Sequence, residues 1–444
     1  MYSEITRLQP KQYRRSDRAA AERSYQRITF MEKNLTREKP ELLCPAKDLE
    51  VLKTAVDFGA DAVYIGGEAY GLRAKARNFS AEEMAEGIQY AHAHGSRVHV
   101  TANILAHNAD LAGAAAYFRE LEELRPDAVL IADPGMFDLA KENCPDLEIH
   151  ISTQANNTNA GTFRFWHRMG ARRVVCAREL SLAEIRQIRE ETPQDLEIEA
   201  FVHGAMCISY SGRCLLSNYF TGRDANHGAC THPCRWKYAV MEESRPGEYL
   251  PIEENERGTF IFNSRDLCMI EHIPDLCRAG ISSLKIEGRM KTALYVATVA
   301  RTYRKAIDDF YESEEKYLSR MDWYREEIRK CTYRRFTTGF YYGRPDEDSM
   351  VYDSNTYVSE SIWLGIAEEI RDGRVRFMQR NKFHVGDSIE IMKPDGRDVP
   401  AKVLGLITED GERVTSAPHP QQILYAELSA PAEKGDLLRM NGTR

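Results

Sequence analysis

The sequence "FGADAVYIGG" (residues 58–67) ends a helix-like segment in a small residue and continues as a short apolar strand. The same pattern returns in "LRPDAVLIADPG" (124–135), "MGARRVVCAREL" (169–180) and "AGISSLKIEGRM" (279–290). Amphipathic segments lie between these copies, and Ser80 begins one of them in the position of a helix N-cap. Strands that alternate with helices in this way predict parallel βαβ units.

The number of strands then favours one fold. We expect eight of them, near residues 41–44, 61–65, 97–103, 128–131, 147–152, 173–176, 196–202 and 282–287. Eight βα units predict a TIM-like (β/α) barrel. An open doubly wound sheet is the alternative, but no GxGxxG motif follows the first strand. The predicted fold class is therefore α/β.

Composition divides the chain into four segments. Residues 1–40 carry ten Lys or Arg against five acidic residues, which predicts either an electrostatic contact for a polyanion or a solvated helix. Residues 41–312 form the predicted barrel, and residues 313–356 form a helical and aromatic linker. Within residues 357–444, period-two runs separated by turn signals predict a small C-terminal all-β barrel module.

Charge and cysteine content limit the functional class. The 444-residue chain has a net charge of −8, so the molecule as a whole does not indicate nucleic-acid binding. It lacks the apolar run of a signal peptide and any apolar stretch of about 20 residues, the length that a membrane span needs. We therefore expect a cytoplasmic protein with no membrane partner, whose ten cysteines serve metal binding or redox chemistry rather than disulfides.

The barrel also predicts where the active site lies, because TIM-barrel enzymes place it just past the carboxyl ends of the strands. The polar residues at those positions are Glu68, Asn103, Asp133, Gln154, Asn156, Arg178, His203, Glu287 and Arg289. Ordinary loop polarity is the alternative for any one of them. We take Gln154, His203, Glu287 and Arg289 as candidate catalytic residues. Lys285 and Glu287 alternate along the last strand, so both are expected to face the barrel interior.

A loop spanning residues 199–240 follows the seventh predicted strand and contains four cysteines with the spacing C-x6-C-x15-C-x3-C. They are Cys207, Cys214, Cys230 and Cys234. Four thiolates on one loop are typical of zinc or of an iron–sulfur cluster. Two further interpretations stay open: thiols without a ligand, and a cysteine nucleophile activated by His203 or His232.

Longer motifs in and around this loop resemble the peptidase U32 family. They are "EAFVHGAMCISYSGRCLLS" (199–217), "GRDANHGACTHPCRWKY" (222–238), "FNSRDL" (262–267) and "SLKIEGRMKTALYVATVARTYRKAID" (283–308). The resemblance covers residues 41–312, and the C-terminal module is similar to a domain that family members carry at the same place.

The resemblance implies a chemistry that the family name does not. The chain lacks the HExxH and GxSxG motifs of metalloproteases and serine hydrolases. The members that it resembles are linked to oxygen-independent hydroxylation, which in the most similar subgroup makes 5-hydroxyuridine at the tRNA wobble position, with prephenate implicated. The resemblance further implies a [4Fe–4S] cluster on Cys207, Cys214, Cys230 and Cys234. Some relatives take a fourth ligand from further downstream, so Cys268 is the alternative to Cys234, and zinc is the alternative metal.

Binding of the expected reactants requires cationic and aromatic side chains. Forked guanidinium groups suit a dicarboxylate such as prephenate, and the candidates are Arg178, Arg213, Arg235 and Arg289, together with Lys285. An unstacked base needs aromatic partners, and the candidates are Tyr210, Tyr219, Phe220 and Trp236. Candidates for phosphate contact are the basic arm, Arg329, Lys330, Arg334 and Arg335.

Several functional alternatives remain at this point. They are a peptidase, a hydroxylase of ribosomal RNA cytidine, an enzyme of ubiquinone synthesis, and a non-catalytic scaffold that carries a cluster or zinc. A tRNA and a small dicarboxylate are the expected partners of the favoured enzyme, and a second subunit of the same family is a further candidate.

Overall fold

The computed structural model describes residues 39–71, 78–207, 209–211, 213–225, 229–236, 254–255, 258–259, 265–343 and 358–442. The predicted basic arm lies outside these described residues except for positions 39 and 40, and so does the part of the predicted linker that spans residues 344–356.

Eight parallel strands close a barrel, as the sequence predicts. The strands of this domain are β1 (Glu41–Pro45), β2 (Ala62–Gly66), β3 (Arg97–Ala102), β4 (Ala128–Ile131), β5 (Glu148–Ile151), β6 (Arg173–Val175), β7 (Glu197–Ala205), β8 (Asp266–Cys268) and β9 (Ser283–Ile286). All except β8 belong to the closed barrel, in which β9 pairs with both β7 and β1. Each predicted strand overlaps an observed one, so the TIM-like fold and the α/β class are confirmed.

Helices surround the barrel strands, and one short helix, Leu216–Thr221, lies in the cysteine loop instead. They are α1 (Leu49–Asp57), α2 (Ala81–Ala93), α3 (Asn108–Leu124), α4 (Pro134–Asn143), α5 (Ala160–Met169), α6 (Leu182–Glu190), α7 (Leu216–Thr221), α8 (Ile273–Arg278), α9 (Ala293–Glu312), α10 (Glu314–Ser319) and α11 (Met321–Arg329). Ser80 and Ser181 form capping boxes at the starts of α2 and α6, which satisfies backbone N–H groups that have no partner within the helix. Apolar side chains of strands and helices form one continuous core.

The regular alternation of strand and helix breaks between β7 and β9. The cysteine loop lies there, and β8 follows it and pairs antiparallel with the end of β7. A further short strand, β10 (Phe336–Thr337), pairs with β8. The predicted linker packs on the barrel, since Tyr317 and Tyr324 are fully buried and the hydroxyl of Tyr341 donates to the Phe201 carbonyl.

The C-terminal domain is an antiparallel sheet that curls around its own core, consistent with the predicted all-β module. Its strands are β11 (Ser361–Ile366), β12 (Glu369–Arg371), β13 (Arg374–Met378), β14 (Phe383–His384), β15 (Ser388–Met392), β16 (Asp398–Thr408), β17 (Arg413–Val414), β18 (Ser416–Ala417), β19 (Ile423–Leu428) and β20 (Leu437–Asn441). The main sheet has the order β11-β20-β15-β16-β19-β13-β12. Its two ends approach each other, because the Arg380 N–H just after β13 donates to the Leu364 carbonyl of β11.

Buried ion pairs join the two domains. Arg301 of α9 and Arg439 of β20 both contact Glu327 of α11, and both also contact Asp398 of β16, at 3.1 Å and 2.9 Å respectively. Burial opposes ionisation of Glu327, but the hydrogen bond from Arg439 and the two guanidinium charges outweigh it and lower the pKa of Glu327 to about 2. Within the described residues, no helix has both the length and the apolar character needed to cross a membrane.

Candidate functional site

A small cavity opens at the carboxyl end of the barrel, the face on which the sequence predicts the active site. Its volume is about 60 Å³. It is lined by Tyr64, Thr101, Asn103, Leu130, Ser152, Thr153, Gln154, Phe201, Lys285, Glu287 and Arg289. Most of these positions alternate along parallel strands, so their side chains share the barrel interior. Three of the four candidate catalytic residues, Gln154, Glu287 and Arg289, therefore lie together.

Lys285 lies deepest of the three charged residues that β9 and its continuation supply to the cavity. Its Nζ donates to Glu199 Oε1 at 2.7 Å, and Glu199 Oε2 accepts from Arg173 Nη1 at 3.1 Å. The rings of Tyr64 and Phe201 lie 4.5 and 5.5 Å from Nζ. The ammonium group is thus held between one carboxylate and two aromatic walls, in a place where an unpaired charge would be strongly destabilising.

Arg289 lies across the mouth end of the cavity and is 4% exposed. Its guanidinium donates to Thr101 Oγ1 at 3.0 Å and to Asn78 Oδ1 at 2.9 Å. Gly66 makes room for it, because a Cβ at that position would lie 2.4 Å from Nη2. A glycine at the end of β2 is therefore required by the arginine's position.

Amide and hydroxyl groups form the opposite wall. Asn103 Nδ2 donates to Ser152 Oγ at 3.1 Å and to Gln154 Oε1 at 3.0 Å. Reasoning from strand ends found Asn103 and Gln154 but missed Tyr64, Thr101 and Ser152. The signal that could have found the missed residues is the period-two alternation within the strands themselves, which places them on the interior face.

Below the cavity, paired charges fill the barrel. Arg173 contacts Glu41 at 2.5 Å, Glu197 at 2.6 Å and Glu199 at 3.1 Å, and all but the Glu197 side chain are almost completely buried. Burial opposes ionisation of Glu41, but the charge of Arg173 outweighs it and holds the Glu41 pKa well below its usual range. Sequence reasoning did not identify this network, which fixes Glu199 and, through it, Lys285.

His203, the fourth candidate catalytic residue, does not line the cavity. Its ring packs among Tyr295, Tyr303 and Phe336, on the side of β7 that faces α9. A register shift explains this: Lys285 pairs with Phe201 but the next residue, Ile286, pairs with His203, so β7 contains one extra residue and the alternation reverses. Burial lowers the pKa of His203 to about 3.

Three other residues predicted at the mouth have local roles or lie at its edge. Asp133 caps helix α4 by accepting from the Gly135 and Met136 N–H groups. Arg178 donates to the Ala205 carbonyl at 2.9 Å and lies 5.0 Å from the Phe201 ring. Glu68 is exposed beyond β2.

The cysteine loop is fastened to the mouth by Asn156 and Arg213. Arg213 Nε donates to Asn156 Oδ1 at 2.6 Å, and Asn156 Nδ2 donates to the Ser211 carbonyl at 3.1 Å. Asn156 has φ of 55°, a left-handed conformation that asparagine tolerates better than most residues. Within the loop, the buried hydroxyl of Ser217 accepts from the Thr231 N–H at 3.1 Å and so joins its two halves.

The four predicted ligand cysteines are less buried than five of the other six, whereas Cys268 is half-buried like two of them. Cys207 and Cys230 are exposed, and Cys214 and Cys234 are half-buried. The His232 N–H donates to Cys230 Sγ at 3.4 Å, a contact that stabilises a thiolate. Four soft sulfur donors on one loop suit zinc or an iron–sulfur cluster. Across the described residues, no three His, Cys, Asp or Glu side chains are grouped closely enough to hold a metal ion.

Cys268, the alternative fourth ligand, lies in β8 opposite His203. Its Sγ is 3.9 Å from the Tyr303 hydroxyl of α9, and burial raises its pKa to about 12. It thus packs between the sheet and helix α9. Cys44, Cys144, Cys176, Cys277 and Cys331 are buried, in line with their interpretation as core residues.

Aromatic side chains of the cysteine loop are unusually exposed. Tyr219 is 82% exposed, and Phe220, Trp236 and Tyr210 are each at least 40% exposed. The Phe220 ring lies 5.1 Å from Tyr219 and 6.1 Å from Trp236. The three rings form one patch, which we call the aromatic patch (Tyr219, Phe220 and Trp236).

The remaining cationic candidates separate into two groups. Lys330 contacts Glu327 and Glu390, and Arg334 is buried against Asp266 at 2.7 Å, so these two serve internal ion pairs. Arg329 and Arg335 are exposed. The side chain of Arg235 lies outside the part of the chain that the structure describes.

Comparisons with known proteins agree with this architecture. The family model "Peptidase family U32" matches residues 47–351, and "Peptidase family U32 C-terminal domain" matches residues 360–439. The "tRNA hydroxylation protein P1" of Bacillus subtilis is 39% identical over 411 residues, which cover 92% of this chain and 96% of the relative. The "tRNA hydroxylation protein P" of Escherichia coli is 40% identical over 81% of this chain and 87% of its own length.

A third relative has a different RNA in its name. A 23S rRNA 5-hydroxycytidine synthase of Escherichia coli is 34% identical over 72% of this chain and 47% of its own length. With two family models that together span most of the chain and relatives of this similarity, the chain belongs to peptidase family U32.

Proposed function

We propose that this protein hydroxylates RNA, and that its substrate is the wobble uridine of tRNA, which it converts to 5-hydroxyuridine. The observation that carries the proposal is the similarity to proteins named for tRNA hydroxylation, which extends over nearly the whole length of both chains. The charged cavity beside a loop with four cysteines and exposed aromatic rings is consistent with it.

Cys207, Cys214, Cys230 and Cys234 are the proposed ligands of a [4Fe–4S] cluster, with zinc as the alternative. Their position on one loop, where none of them is fully buried, and the N–H group directed at Cys230 support this choice. Cys234 is preferred to Cys268 because Cys268 packs against Tyr303. A bound cluster supplies electron transfer to the reaction.

RNA is proposed to contact the aromatic patch. A base must leave its stack before chemistry can occur at its edge, and aromatic rings stabilise the unstacked base by stacking. Tyr219 has most of its surface free for such a contact. Arg329 and Arg335, together with the basic arm, are the proposed contacts to phosphate.

Prephenate is the proposed co-substrate of an oxygen-independent reaction. Arg289 and Lys285 are the proposed carboxylate contacts because both line the cavity, whereas Arg178 and Arg213 are not among its lining residues. Glu287 and Gln154 line the same cavity and are the remaining candidates for proton transfer and hydrogen bonding.

Nucleoside analysis of tRNA from a strain that lacks this gene tests the proposal. Loss of 5-hydroxyuridine, restored by the wild-type gene, is the expected result when no second enzyme is present. Unchanged tRNA together with loss of 5-hydroxycytidine from ribosomal RNA would indicate that the substrate is ribosomal RNA cytidine instead. Casein cleavage by the purified protein that is lost in Cys207→Ala would favour the peptidase.

A further inference from the structure

Lys285 has an environment that a purely structural lysine does not require. It is 4% exposed, yet its Nζ borders a cavity that opens toward the barrel mouth. Its carboxylate partner Glu199 also accepts from Arg173, so this carboxylate is held by two cations. The rings of Tyr64 and Phe201 exclude water from the sides of the ammonium group. A lysine with a carboxylate beside it and space above it is arranged to react with a carbonyl group.

We infer that Lys285 forms an imine with a small α-keto acid whose carboxylate binds Arg289. The inference rests on the proposed function in one respect, namely that this keto acid is the co-substrate of the hydroxylation. It assigns the cavity a ligand class and gives Lys285 a covalent role.

The size and charge of the cavity select this ligand class. A cavity of about 150 Å³ accommodates benzene, whereas this one has about 60 Å³. A flipped nucleobase is therefore too large for it, but the carbonyl and carboxylate end of a keto acid is not. Lys285 lies in β9 and Arg289 in the turn that follows it, and both line the cavity, so an amine and a guanidinium are available to the same small ligand. The rest of a larger acid would extend through the mouth toward the cysteine loop.

The proposed step balances without an added oxidant or reductant. The Lys285 ammonium transfers one proton to Glu199, and the neutral Nζ attacks the keto carbon to form the N–C bond. A second proton moves from nitrogen to the former carbonyl oxygen, which gives a carbinolamine. Glu199 then returns its proton to that hydroxyl, the C–O bond breaks, and water leaves. An ammonium and a ketone thus become a protonated imine and one water molecule.

Arg173 has a positioning role in this scheme. Its contact with Glu199 Oε2 holds the carboxylate in place, while Oε1 stays directed at Lys285. Asn103 and Ser152, on the opposite wall, offer hydrogen-bonding groups to the oxygens of the bound acid.

Reductive trapping tests the inference. The full-length protein, purified anaerobically and free of RNA, is treated with pyruvate or phenylpyruvate and sodium borohydride, and its intact mass is measured. We expect one adduct per chain, heavier by the keto acid less one oxygen atom, and peptide mapping is expected to place it on Lys285. Lactate, which has no carbonyl group, should give no adduct.

Three variants sharpen the result. Lys285→Arg should abolish trapping, whereas Lys291→Arg, which changes a lysine of the neighbouring turn, should leave it unchanged. Arg289→Gln should raise the half-saturating pyruvate concentration by about tenfold or more, since a charge-assisted contact to the carboxylate is lost. Mapping of the wild-type adduct identifies the residue even if a variant fails to fold.

The outcomes separate this inference from the proposed function. No adduct, or adducts spread over exposed lysines without saturation, would overturn the imine even if tRNA hydroxylation is intact. A saturable adduct on Lys285 in a protein whose deletion leaves every RNA unchanged would support the imine and refute the hydroxylase.

Discussion

The barrel cavity and the cysteine loop lie side by side but are built in opposite ways. The cavity is held by buried, mutually paired charges, with Arg173 and Lys285 on either side of Glu199. In its described part, the loop has exposed aromatic rings and cysteines, is joined to the mouth by hydrogen bonds of Asn156, and has its two halves joined by Ser217. The barrel cavity, held by paired charges, therefore suits a small reactant in one fixed orientation. The exposed part suits a cofactor and a large, irregular substrate.

The largest effect is expected from the cysteines of the loop. Cys230→Ser should lose bound iron and sulfide and all measurable hydroxylation, because a serine oxygen is a poor substitute for a thiolate ligand. Cys268→Ser is the matched control and should keep its iron and sulfide, because that thiol packs against Tyr303. Iron and sulfide content of anaerobically purified protein is the measurement. Normal iron in Cys230→Ser would contradict the proposed ligand set, and loss of iron in Cys268→Ser would favour Cys268 over Cys234 as the fourth ligand.

The paired charges below the cavity should contribute strongly to the free energy of unfolding of the protein. Arg173→Met leaves Glu41 and Glu199 without their shared cation, and removing one partner of a buried ion pair costs about 3–5 kcal/mol. Arg172→Met is the control, since Arg172 is adjacent but half exposed, and surface pairs contribute at most about 1 kcal/mol. Urea denaturation measures the free energy of unfolding of both variants. Equal losses in the two variants would show that the network does not stabilise the barrel as described.

The contact between the domains should depend on pH. Folding lowers the Glu327 pKa from 4.5 to about 2, so the unfolded state binds more protons between these values. Stability from this group is therefore complete above about pH 4.5 and is lost as the pH falls toward 2, by about 3 kcal/mol at most. Thermal unfolding of wild type and Glu327→Gln across this range measures the difference. A difference that does not change with pH would contradict the assignment.

The smallest effect is expected in the aromatic patch. Tyr219→Ala should raise the KM for tRNA about tenfold with little change in kcat, because one stacked base is worth about 1–3 kcal/mol. Phe165→Ala removes another exposed ring, from helix α5 on the outside of the barrel, and serves as the control. Steady-state kinetics with purified tRNA measure the KM and kcat of both variants. Identical KM values for Tyr219→Ala and wild type would contradict the proposal that RNA contacts this patch.

The parts of the molecule that sequence predicts well are those governed by local patterns. The eight barrel strands follow from apolar runs after small residues, and the positions of Glu287 and Gln154 follow from the ends of those strands. His203 was misplaced because one extra residue in β7 reverses its direction, and no local pattern marks that register shift. The network of Arg173, Glu41 and Glu199 was missed because its members meet only when the barrel closes.

The proposed role of the cysteine loop is tested most directly by complementing the deletion strain with wild type, Cys230→Ser or Cys268→Ser and measuring 5-hydroxyuridine in purified tRNA by mass spectrometry. We expect restored 5-hydroxyuridine with wild type and with Cys268→Ser, and none with Cys230→Ser. Full restoration by Cys230→Ser would contradict the claim that the cysteine loop carries the reaction.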